Sequence, residues 1–548
     1  MLSATKKLVT DSLPEKIDFT LETPPDPKFG DFATNAAMIL AKKASKNPRE
    51  LATEIAEKIA ESELVAKTEI AGPGFINIFL APTAFHQAFQ EIEKAGKNFG
   101  NIKNPSTRSG QGKEKVLLEF ISANPTGPLT IANGRGGFGG DVLARVLERA
   151  GYEVTREFYV NDAGRQIELL GKSVQFAGKN PPRPNLRQGY GRQAPFTKGG
   201  SEEELYQGKY IQELAKKYPD KISKDARETG EEFLKVLLEE EIKPSVEKMG
   251  IEFDEWFSEA SLRDGGELEK TLEFLKNKKL TYEQEGAVWL KTSEFGDDKD
   301  RVIVKSDGEP TYVLPDLMYH KNKFERGFTK LIDILGADHH GYVPRLKVGV
   351  QMLGFGEVEV IITQLVKLFR EGKEVRMSKR AGNFELMDDL IDEVGMDAAR
   401  WFFIMRDWNT HLNFDLDLAK KQSADNPVFY VQYAHTRLAS ILEKAQDIDF
   451  KKGKIELLTD QTEFALIKKL AELPDLVEEI SKSYAIHQLT TYARELAETF
   501  HKFYEKCRVV DEEHLEMSRA RLRLVAVTKE VLRIVLEDLV GVSAPTKM

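Results

Sequence analysis

The chain has almost no cysteine. Cys507 is the single cysteine among 548 residues, so the chain cannot form an internal disulfide. A zinc site built from several cysteine thiolates is excluded for the same reason. The sequence therefore predicts a protein of a reducing compartment, and we expect a cytoplasmic location.

The chain also lacks a long apolar run and an excess of positive charge. No segment approaches the ~18 apolar residues that a membrane span needs, and the first seven residues lack the apolar core of a secretory signal. No membrane partner is therefore expected. The formal net charge of −10 argues against a protein that coats nucleic acid by bulk attraction. A local basic face remains possible, because salt screens distant charges.

The composition that is present indicates a folded protein of several domains. Hydrophobic residues make up 41% of the chain and charged residues 31%. Residues 1–95 are predicted to form an α+β domain, since Asn47 caps a predicted helix and an apolar strand occupies residues 75–80. Residues 96–114 are polar and rich in Gly and Ser, which predicts a linker.

A parallel α/β sheet is predicted for residues 115–425. A strand at 116–121, a helix from about Phe138 and a strand at 154–160 form its opening, and further strands are predicted at 331–335 and 358–362. Residues 171–200 interrupt this pattern with six Lys or Arg, no acid and many Pro and Gly. They predict a disordered surface insertion, with a basic arm that contacts RNA as the alternative.

The C-terminal residues 426–548 are predicted to form a separate all-α domain. Apolar residues recur there at helical spacing. The residues predicted to face its core are Ile441, Leu466, Leu470, Leu489, Leu496, Leu522, Val525, Leu532 and Leu539.

The first chemical signal is the Gly- and Pro-rich segment after the strand at 116–121. Open α/β sheets bind ligands outside the carboxyl ends of their strands. Glycines let a backbone approach a ligand closely, and a following helix N-terminus offers amide donors to phosphate. These glycines are Gly127, Gly134, Gly136 and Gly137. A plain tight turn is an equally good interpretation of this segment when it is taken alone.

The second signal is a basic segment, residues 376–383, that contains Met377, Ser378 and Lys379. A lysine on such a loop can bring an ammonium group to a triphosphate. Taken alone, a charged loop is more often simply solvated. The occurrence of both segments in one chain favours a nucleotide site.

Together the two segments resemble the HIGH and KMSKS signatures of class I aminoacyl-tRNA synthetases, at residues 130–133 and 376–380. Their flanks resemble the arginyl enzymes of bacterial type, at residues 124–129, 159–166, 336–342 and 377–383. Residues 30–35 resemble that family's extra tRNA-contacting domain, and residues 426–435 and 541–545 resemble its anticodon-binding helical domain. The resemblance covers nearly the whole chain.

The resemblance implies a Rossmann-like catalytic domain and a two-step reaction. The carboxylate of L-arginine attacks the α-phosphate of ATP, and the arginyl-adenylate then esterifies the 3′ end of tRNA(Arg). Such a reaction depends mainly on positioning and on offsetting developing charge, with Mg2+ bridging phosphate oxygens. The resemblance also implies a monomer.

Residue roles follow from the matched motifs. Lys379, Thr130 and Asn133 are the expected catalytic residues, with Lys379 stabilising the α-phosphate and the leaving pyrophosphate. The expected ATP-binding residues are Thr130, Ala132, Asn133, Gly134, Met377, Ser378 and Lys379. The expected arginine-binding residues are Glu119, Asn124, Tyr312 and Asp316, of which the last two grip the guanidinium.

Several alternatives remain open at this point. Each acid of the arginine site could instead form an ordinary ion pair or a helix cap. Asp316 and Tyr312 share a helix face only if Pro315 lies in the first turn. His339 and His340 favour a polar turn over a metal site, because no third ligand is near them in sequence. Tyr430 and Tyr433 could stack on anticodon bases or pack in a helical core.

The first signature lacks both of its histidines and reads Thr-Ile-Ala-Asn. Thr130 and Asn133 keep hydrogen-bonding groups but cannot carry positive charge. An active arginyl enzyme is the main hypothesis, and a non-catalytic tRNA-binding relative is the alternative. A class I enzyme for another amino acid is disfavoured by the N-terminal domain and by the acids in the predicted side-chain site.

Overall fold

The computed structural model describes residues 1–102, 113–179, 205–206, 209–375 and 386–548. The chain forms two compact units. The first comprises residues 1–102, 427–484 and 488–548, and the second comprises residues 103–426 and 485–487. Within the described ranges, no helix combines the length and the apolar character that a bilayer crossing requires.

The N-terminal part of the first unit is an antiparallel sheet flanked by helices. Its strands pair in the order β1–β2–β4–β3. They are β1 Leu21–Glu22, β2 Phe32–Thr34, β3 Val65–Ala71 and β4 Phe75–Leu80, and the helices are α1 Leu2–Ser12, α2 Ala36–Ala44, α3 Pro48–Ala60 and α4 Pro82–Ala95. The Asn47 side chain accepts a hydrogen bond from the Arg49 amide at 3.0 Å, which confirms the predicted helix start.

The motif at residues 30–35 builds this sheet. Gly30 has a φ of +95°, and a Cβ there would lie 2.7 Å from the Ile78 carbonyl oxygen. The Asp31 amide donates to the same oxygen at 2.8 Å, and the Asp31 carboxylate accepts from the Leu80 amide at 2.8 Å. The motif therefore has a structural function, since it seats β2 against β4.

The second unit is built on a five-stranded parallel sheet with the order β12–β11–β5–β6–β7. Two three-stranded sheets, β10–β9–β8 and β14–β13–β15, accompany it. The strands are β5 Lys115–Glu119, β6 Glu153–Val160, β7 Glu255–Ser258, β8 Thr281–Gln284, β9 Ala287–Leu290, β10 Arg301–Val304, β11 Lys330–Gly336, β12 Val358–Thr363, β13 Val366–Arg370, β14 Lys373–Val375 and β15 Leu412–Asp415. The predicted parallel α/β sheet is confirmed.

The helices of the second unit cover this sheet and extend from it. They are α5 Ile131–Arg149, α6 Arg165–Lys179, α7 Lys209–Lys217, α8 Ala226–Leu237, α9 Lys243–Lys248, α10 Glu259–Asp264, α11 Glu267–Asn277, α12 Val313–Glu325, α13 Val343–Leu353, α14 Met387–Val394, α15 Met396–Ile404 and α16 Leu416–Lys420. A π-helical turn, Leu238–Ile242, joins α8 to α9.

Part of the predicted insertion is helical, and that prediction was wrong for residues 171–179. They belong to α6, whose buried Ile167, Leu170 and Val174 pack against α8 at helical spacing. A Cβ at Gly171 would lie 1.6 Å from the Ala226 carbonyl oxygen, so glycine serves a close approach of two helices rather than a flexible loop. Residues 180–200 lie outside the described residues, as does the predicted linker over 103–112.

The C-terminal part of the first unit is helical, as predicted. Its helices are α17 Pro427–Lys444, α18 Gln461–Leu470, α19 Leu473–Ser483, α20 His487–Lys506 and α21 Leu515–Arg533, with a final π-helix, Ile534–Val540. All nine residues predicted to face its core are buried. In the same unit Phe85 of α4 stacks on Phe464 of α18, with ring centroids 4.6 Å apart.

Candidate functional site

The strand order of the parallel sheet creates a cleft between β5 and β11. From β5 the chain proceeds to β6 and β7 on one side, and it then returns to β11 and β12 on the other. Loops that leave neighbouring strands in opposite directions open a crevice at the carboxyl ends, where such sheets bind ligands. Glu119 and Gly336 end these two strands, so residues that follow them lie at the candidate site.

The first signature segment begins a helix at this edge. Thr130 precedes the first turn of α5, and its amide donates to Asn133 Oδ1 at 2.9 Å. Ala132 is exposed, and Asn133 is partly buried. Thr130 and Asn133 therefore cap the helix together, and the start of α5 presents them at the cleft.

The predicted helix start at about Phe138 was wrong, because α5 already begins at Ile131. Gly134 and Gly137 lie inside the helix, where side chains of other elements pack against them. A Cβ at Gly134 would lie 2.8 Å from Met387 Sδ, and one at Gly137 would lie 2.7 Å from the Met249 side chain. Glycine at these positions allows side chains to pack directly on the helix backbone.

The structure joins the first signature segment to the residues that follow the second. Leu386 forms an antiparallel bridge with Thr130, and the Met387 amide donates to the Leu129 carbonyl at 3.1 Å. Met377, Ser378 and Lys379 themselves lie outside the described residues.

Between the strand and the helix, the backbone turns through an unusual conformation. Ile121 and Ser122 have φ values of +65° and +39°, which is rare for residues other than glycine and rarest for β-branched ones. The Ser122 hydroxyl accepts from the Tyr159 amide at 3.1 Å, and Asn161 donates to Asn124 Oδ1 at 3.3 Å. These bonds hold Asn124 beside the end of β6.

A row of acids crosses the sheet at the level of Glu119. In the strand register Glu119 pairs with Asp333 on one side and with Glu157 on the other, and Glu157 pairs with Glu255. Glu119, Asp333 and Glu157 are buried. Adjacent residues of parallel strands point to the same face of a sheet, so these carboxylates need compensating cations.

Lys323 of α12 provides one of these cations. Its fully buried Nζ donates to Glu119 Oε2 at 2.6 Å and to Asp333 Oδ1 at 2.9 Å. Burial acts to lower the pKa of Lys323, but Asp333, Glu119 and Glu157 outweigh it and hold that pKa above its ordinary value. The side chain is therefore an ammonium, and it fixes one oxygen of Glu119.

His320 adds a second contact to the same row. Its Nε2 lies 2.9 Å from Asp333 Oδ2, and its Nδ1 lies 2.8 Å from the Asp316 carbonyl oxygen. Burial opposes ionisation of Asp333, but Lys323 and His320 hold its pKa below the ordinary value. The two ring nitrogens of His320 thus connect the carboxylate of Asp333 to the backbone of Asp316.

The predicted guanidinium-binding pair lies at the start of α12. Tyr312 immediately precedes the helix, Pro315 lies in its first turn, and the Asp316 amide donates to the Tyr312 carbonyl at 3.4 Å. Tyr312 is 58% exposed, whereas Asp316 is partly buried. Pro315 is thus compatible with placing both side chains at one helix end.

Asp316 has a perturbed acidity. Burial raises its pKa to about 6, while the Tyr342 hydroxyl and His320 act to lower it and Glu119 and Glu259 act to raise it. Tyr342 Oη donates to Asp316 Oδ2, and Arg345 Nη1 donates to Tyr312 Oη at 3.3 Å. A carboxylate whose ionisation is disfavoured in a cleft is suited to bind a cation.

The remaining predicted side chains lie on the surface. His339 ends a short turn after β11, and both His339 and His340 are exposed. In the first unit, Tyr433 of α17 is 41% exposed, with the Arg437 guanidinium 5.0 Å from its ring. Tyr430 is partly buried, with its ring centroid 5.4 Å from that of His501.

Sequence reasoning missed most of the polar groups behind the site: His320, Lys323, Asp333, Glu157, Glu259 and Tyr342. One signal was available. Asp333 interrupts an otherwise apolar strand, which indicates a buried acid with a partner. Nothing in the sequence pattern pointed to Lys323 as that partner.

Family models match the three parts of the chain. The Arginyl tRNA synthetase N terminal domain matches residues 2–80, the catalytic domain of tRNA synthetases class I (R) matches residues 101–424, and the DALR anticodon binding domain matches residues 431–548.

Individual relatives agree with these models. The arginine–tRNA ligase of Symbiobacterium thermophilum is 43% identical, over 96% of this chain and 94% of its own. That of Thermotoga maritima is 43% identical over 99% and 98%. A solved Campylobacter jejuni protein assigned as an arginyl-tRNA synthetase superposes with a TM-score of 0.73 at 34% identity, covering 86% of this chain and all of that one. With a matching catalytic domain, a cleft at the expected strand ends and relatives of this similarity along the whole length, the chain belongs to the arginyl-tRNA synthetase family of class I.

Proposed function

We propose that this protein is an arginine–tRNA ligase that joins L-arginine to tRNA(Arg) at the expense of ATP. The observation that carries the proposal is the full-length similarity to bacterial arginine–tRNA ligases, which includes the class I catalytic domain. The enclosed acid at the cleft adds chemical support, because a guanidinium is a cation that pairs with carboxylates. Membership in a catalytic family favours the enzyme over a non-catalytic tRNA-binding relative.

Arginine recognition is assigned to four side chains. Asp316 and Tyr312 receive the guanidinium, and Asn124 and Glu119 face the amino end. Lys323 already occupies Glu119 Oε2, so Glu119 acts through its other oxygen. The partly buried position of Asp316 favours a charge-assisted bond, which is stronger away from water.

ATP binding is assigned to the start of α5 and to the second signature segment. Thr130, Ala132, Asn133 and Gly134 belong to the first, and Met377, Ser378 and Lys379 belong to the second. Lys379 precedes Leu386 by seven residues, and an extended chain of that length spans at most ~25 Å. Because Leu386 bridges to Thr130, both segments are within reach of one nucleotide.

The reaction proceeds in two steps at this cleft. The arginine carboxylate attacks the α-phosphate, pyrophosphate leaves with its bonding electrons, and the 3′ end of tRNA then displaces AMP from the adenylate. Lys379 offsets charge that develops on the phosphate oxygens, while Thr130 and Asn133 hydrogen-bond phosphate or ribose. ATP enters as its magnesium complex, in which phosphate oxygens hold Mg2+.

The tRNA contacts are assigned to the first unit. Exposed Tyr433 is suited to stack on an unpaired anticodon base, and the Arg437 guanidinium beside its ring adds positive charge. Following the family resemblance, we assign the protein to the cytoplasm as a monomer.

The test is arginine-dependent ATP–pyrophosphate exchange, measured with and without tRNA(Arg), together with tRNA charging. We expect charging with arginine and exchange that depends on tRNA. Tight tRNA binding without exchange or charging would support the non-catalytic alternative instead. Charging with a different amino acid would refute the arginine assignment.

A further inference from the structure

Tyr342 contacts both side chains that are assigned to the guanidinium, although no sequence motif gave it a role. It lies between β11 and α13 and is partly buried. Its hydroxyl donates to Asp316 Oδ2, and its ring meets the Tyr312 ring edge-on with centroids 5.3 Å apart. Tyr342 thus links the loop after β11 to the start of α12.

The hydrogen bond from the Tyr342 hydroxyl restricts the orientation in which the Asp316 carboxylate can bind a ligand. A guanidinium presents two parallel N–H groups to the two oxygens of a carboxylate, so the plane of the carboxylate decides whether both bonds form. Among the residues that the structure describes, no side chain donates to Asp316 Oδ1. Tyr342 therefore fixes the plane of the carboxylate through one lone pair of Oδ2, and Oδ1 and the second lone pair of Oδ2 can accept from the ligand.

The charges that face Asp316 come from several elements. His320 lies on the same helix, Glu119 ends β5, and Glu259 begins α10. Arg345 of α13 lies near the Tyr342 hydroxyl and Tyr312. Burial has the largest effect and raises the pKa of Asp316, and the Tyr342 hydrogen bond is the largest effect that lowers it. Removing the hydroxyl would thus disfavour the ionised carboxylate.

We propose that Tyr342 is a specificity-determining residue of the arginine site, whose hydroxyl orients the Asp316 carboxylate for a planar guanidinium. This proposal rests on the assignment of Asp316 to arginine binding in the proposed function. Tyr342 acts through Asp316, so it is a positioning residue and takes no part in the chemical step.

The test compares Tyr342→Phe with the wild type in steady-state charging of full-length tRNA(Arg) between pH 5.5 and 8.5. The KM for arginine is expected to rise about tenfold at pH 8, as for loss of a hydrogen bond to a charged group, while kcat stays within threefold. The midpoint of the KM–pH profile moves to higher pH. Preference for arginine over its neutral isostere citrulline, measured as a ratio of inhibition constants in ATP–pyrophosphate exchange, decreases.

Tyr319→Phe is the matched control. Tyr319 lies on the same helix as Asp316, and its hydroxyl donates to a different buried carboxylate, Glu157. We expect this variant to keep the wild-type KM and pH midpoint. Equal effects of both variants, or no effect of Tyr342→Phe, would overturn the proposal.

These outcomes distinguish a failure of the ligase assignment from a failure of the role assigned to Tyr342. A wild type that fails to charge tRNA(Arg) refutes the ligase assignment and the role of Tyr342 with it. A wild type that charges normally, matched in KM and pH midpoint by Tyr342→Phe, refutes only the role of Tyr342.

Discussion

Replacing Asp316 by Asn should remove most of the discrimination for a cationic substrate. The pKa of Asp316 rises from 3.8 to about 6, chiefly because burial penalises the charged form. At about 1.4 kcal/mol per pH unit, this rise corresponds to about 3 kcal/mol of unfavourable ionisation. A bound guanidinium offsets that cost, so we expect Asp316→Asn to lower kcat/KM for arginine by roughly a hundredfold at pH 8.

The assay is tRNA-dependent ATP–pyrophosphate exchange with arginine and ATP varied separately. The loss should appear in kcat/KM for arginine, whereas the KM for ATP stays near the wild-type value, because Asp316 is not assigned to the nucleotide. Asp297→Asn is the control, since it makes the same change in an acid that pairs with Arg301 at 2.7 Å beside the small sheet β10–β9–β8. A kcat/KM for arginine within threefold of the wild type would refute the reasoning.

Lys379→Ala should lower turnover in exchange far more than it lowers tRNA affinity in a filter-binding titration, and equal losses would contradict its assigned role. Below about pH 6, the KM for arginine should increase about tenfold for each pH unit, and above that pH it should be constant. The reason is that Asp316, whose pKa is raised to about 6, loses its charge on acidification while the guanidinium stays protonated. A KM that does not change with pH would argue against the pairing of Asp316 with the guanidinium. Gly171→Ala should lower the free energy of unfolding by about 1–3 kcal/mol or more in thermal or urea unfolding, since its Cβ would lie 1.6 Å from the Ala226 carbonyl oxygen. Gly178→Ala in the same helix, where a Cβ meets only one side-chain carbon at 3.1 Å, should be neutral or stabilising by up to about 1 kcal/mol.

Elements with strong apolar periodicity could be predicted from the sequence. The strand predicted at 331–335 is β11, Lys330–Gly336, and the strand predicted at 358–362 is β12, Val358–Thr363. Local pattern sufficed there, because each element buries a face that its own residues define.

Helical segments that contain glycine were wrongly predicted as loop where packing between elements decides the structure. Seven residues of α5 were interpreted as loop because its first turns are rich in glycine, which alone disfavours a helix. At Gly140, however, a Cβ would lie 2.4 Å from the Phe120 ring, so the helix needs glycine in order to lie against the sheet. The same cause explains residues 171–179, where Gly171 meets the backbone of α8. Such contacts join distant segments, and a local pattern does not contain them.

The candidate site could be predicted only where a motif named its residues. Asp316 and Tyr312 were predicted from the family resemblance, whereas the charged residues packed behind them were not predicted. Lys323 is an ordinary surface residue by sequence, yet it is fully buried because it faces a row of acids that forms only when three strands align.

This row explains why Asp316 differs from its acidic neighbours. Glu119 and Asp333 both have Lys323 as an ionic partner, and Glu157 has Arg326. Among the described residues, no Lys or Arg forms an ion pair with Asp316, which receives only a neutral hydroxyl from Tyr342. A buried carboxylate without a counter-ion is costly, and accordingly its pKa is raised. Among the described residues, every acid of the row therefore has a Lys or Arg partner, whereas Asp316 at the cleft has none, and we propose that the side chain of bound arginine supplies its counter-ion.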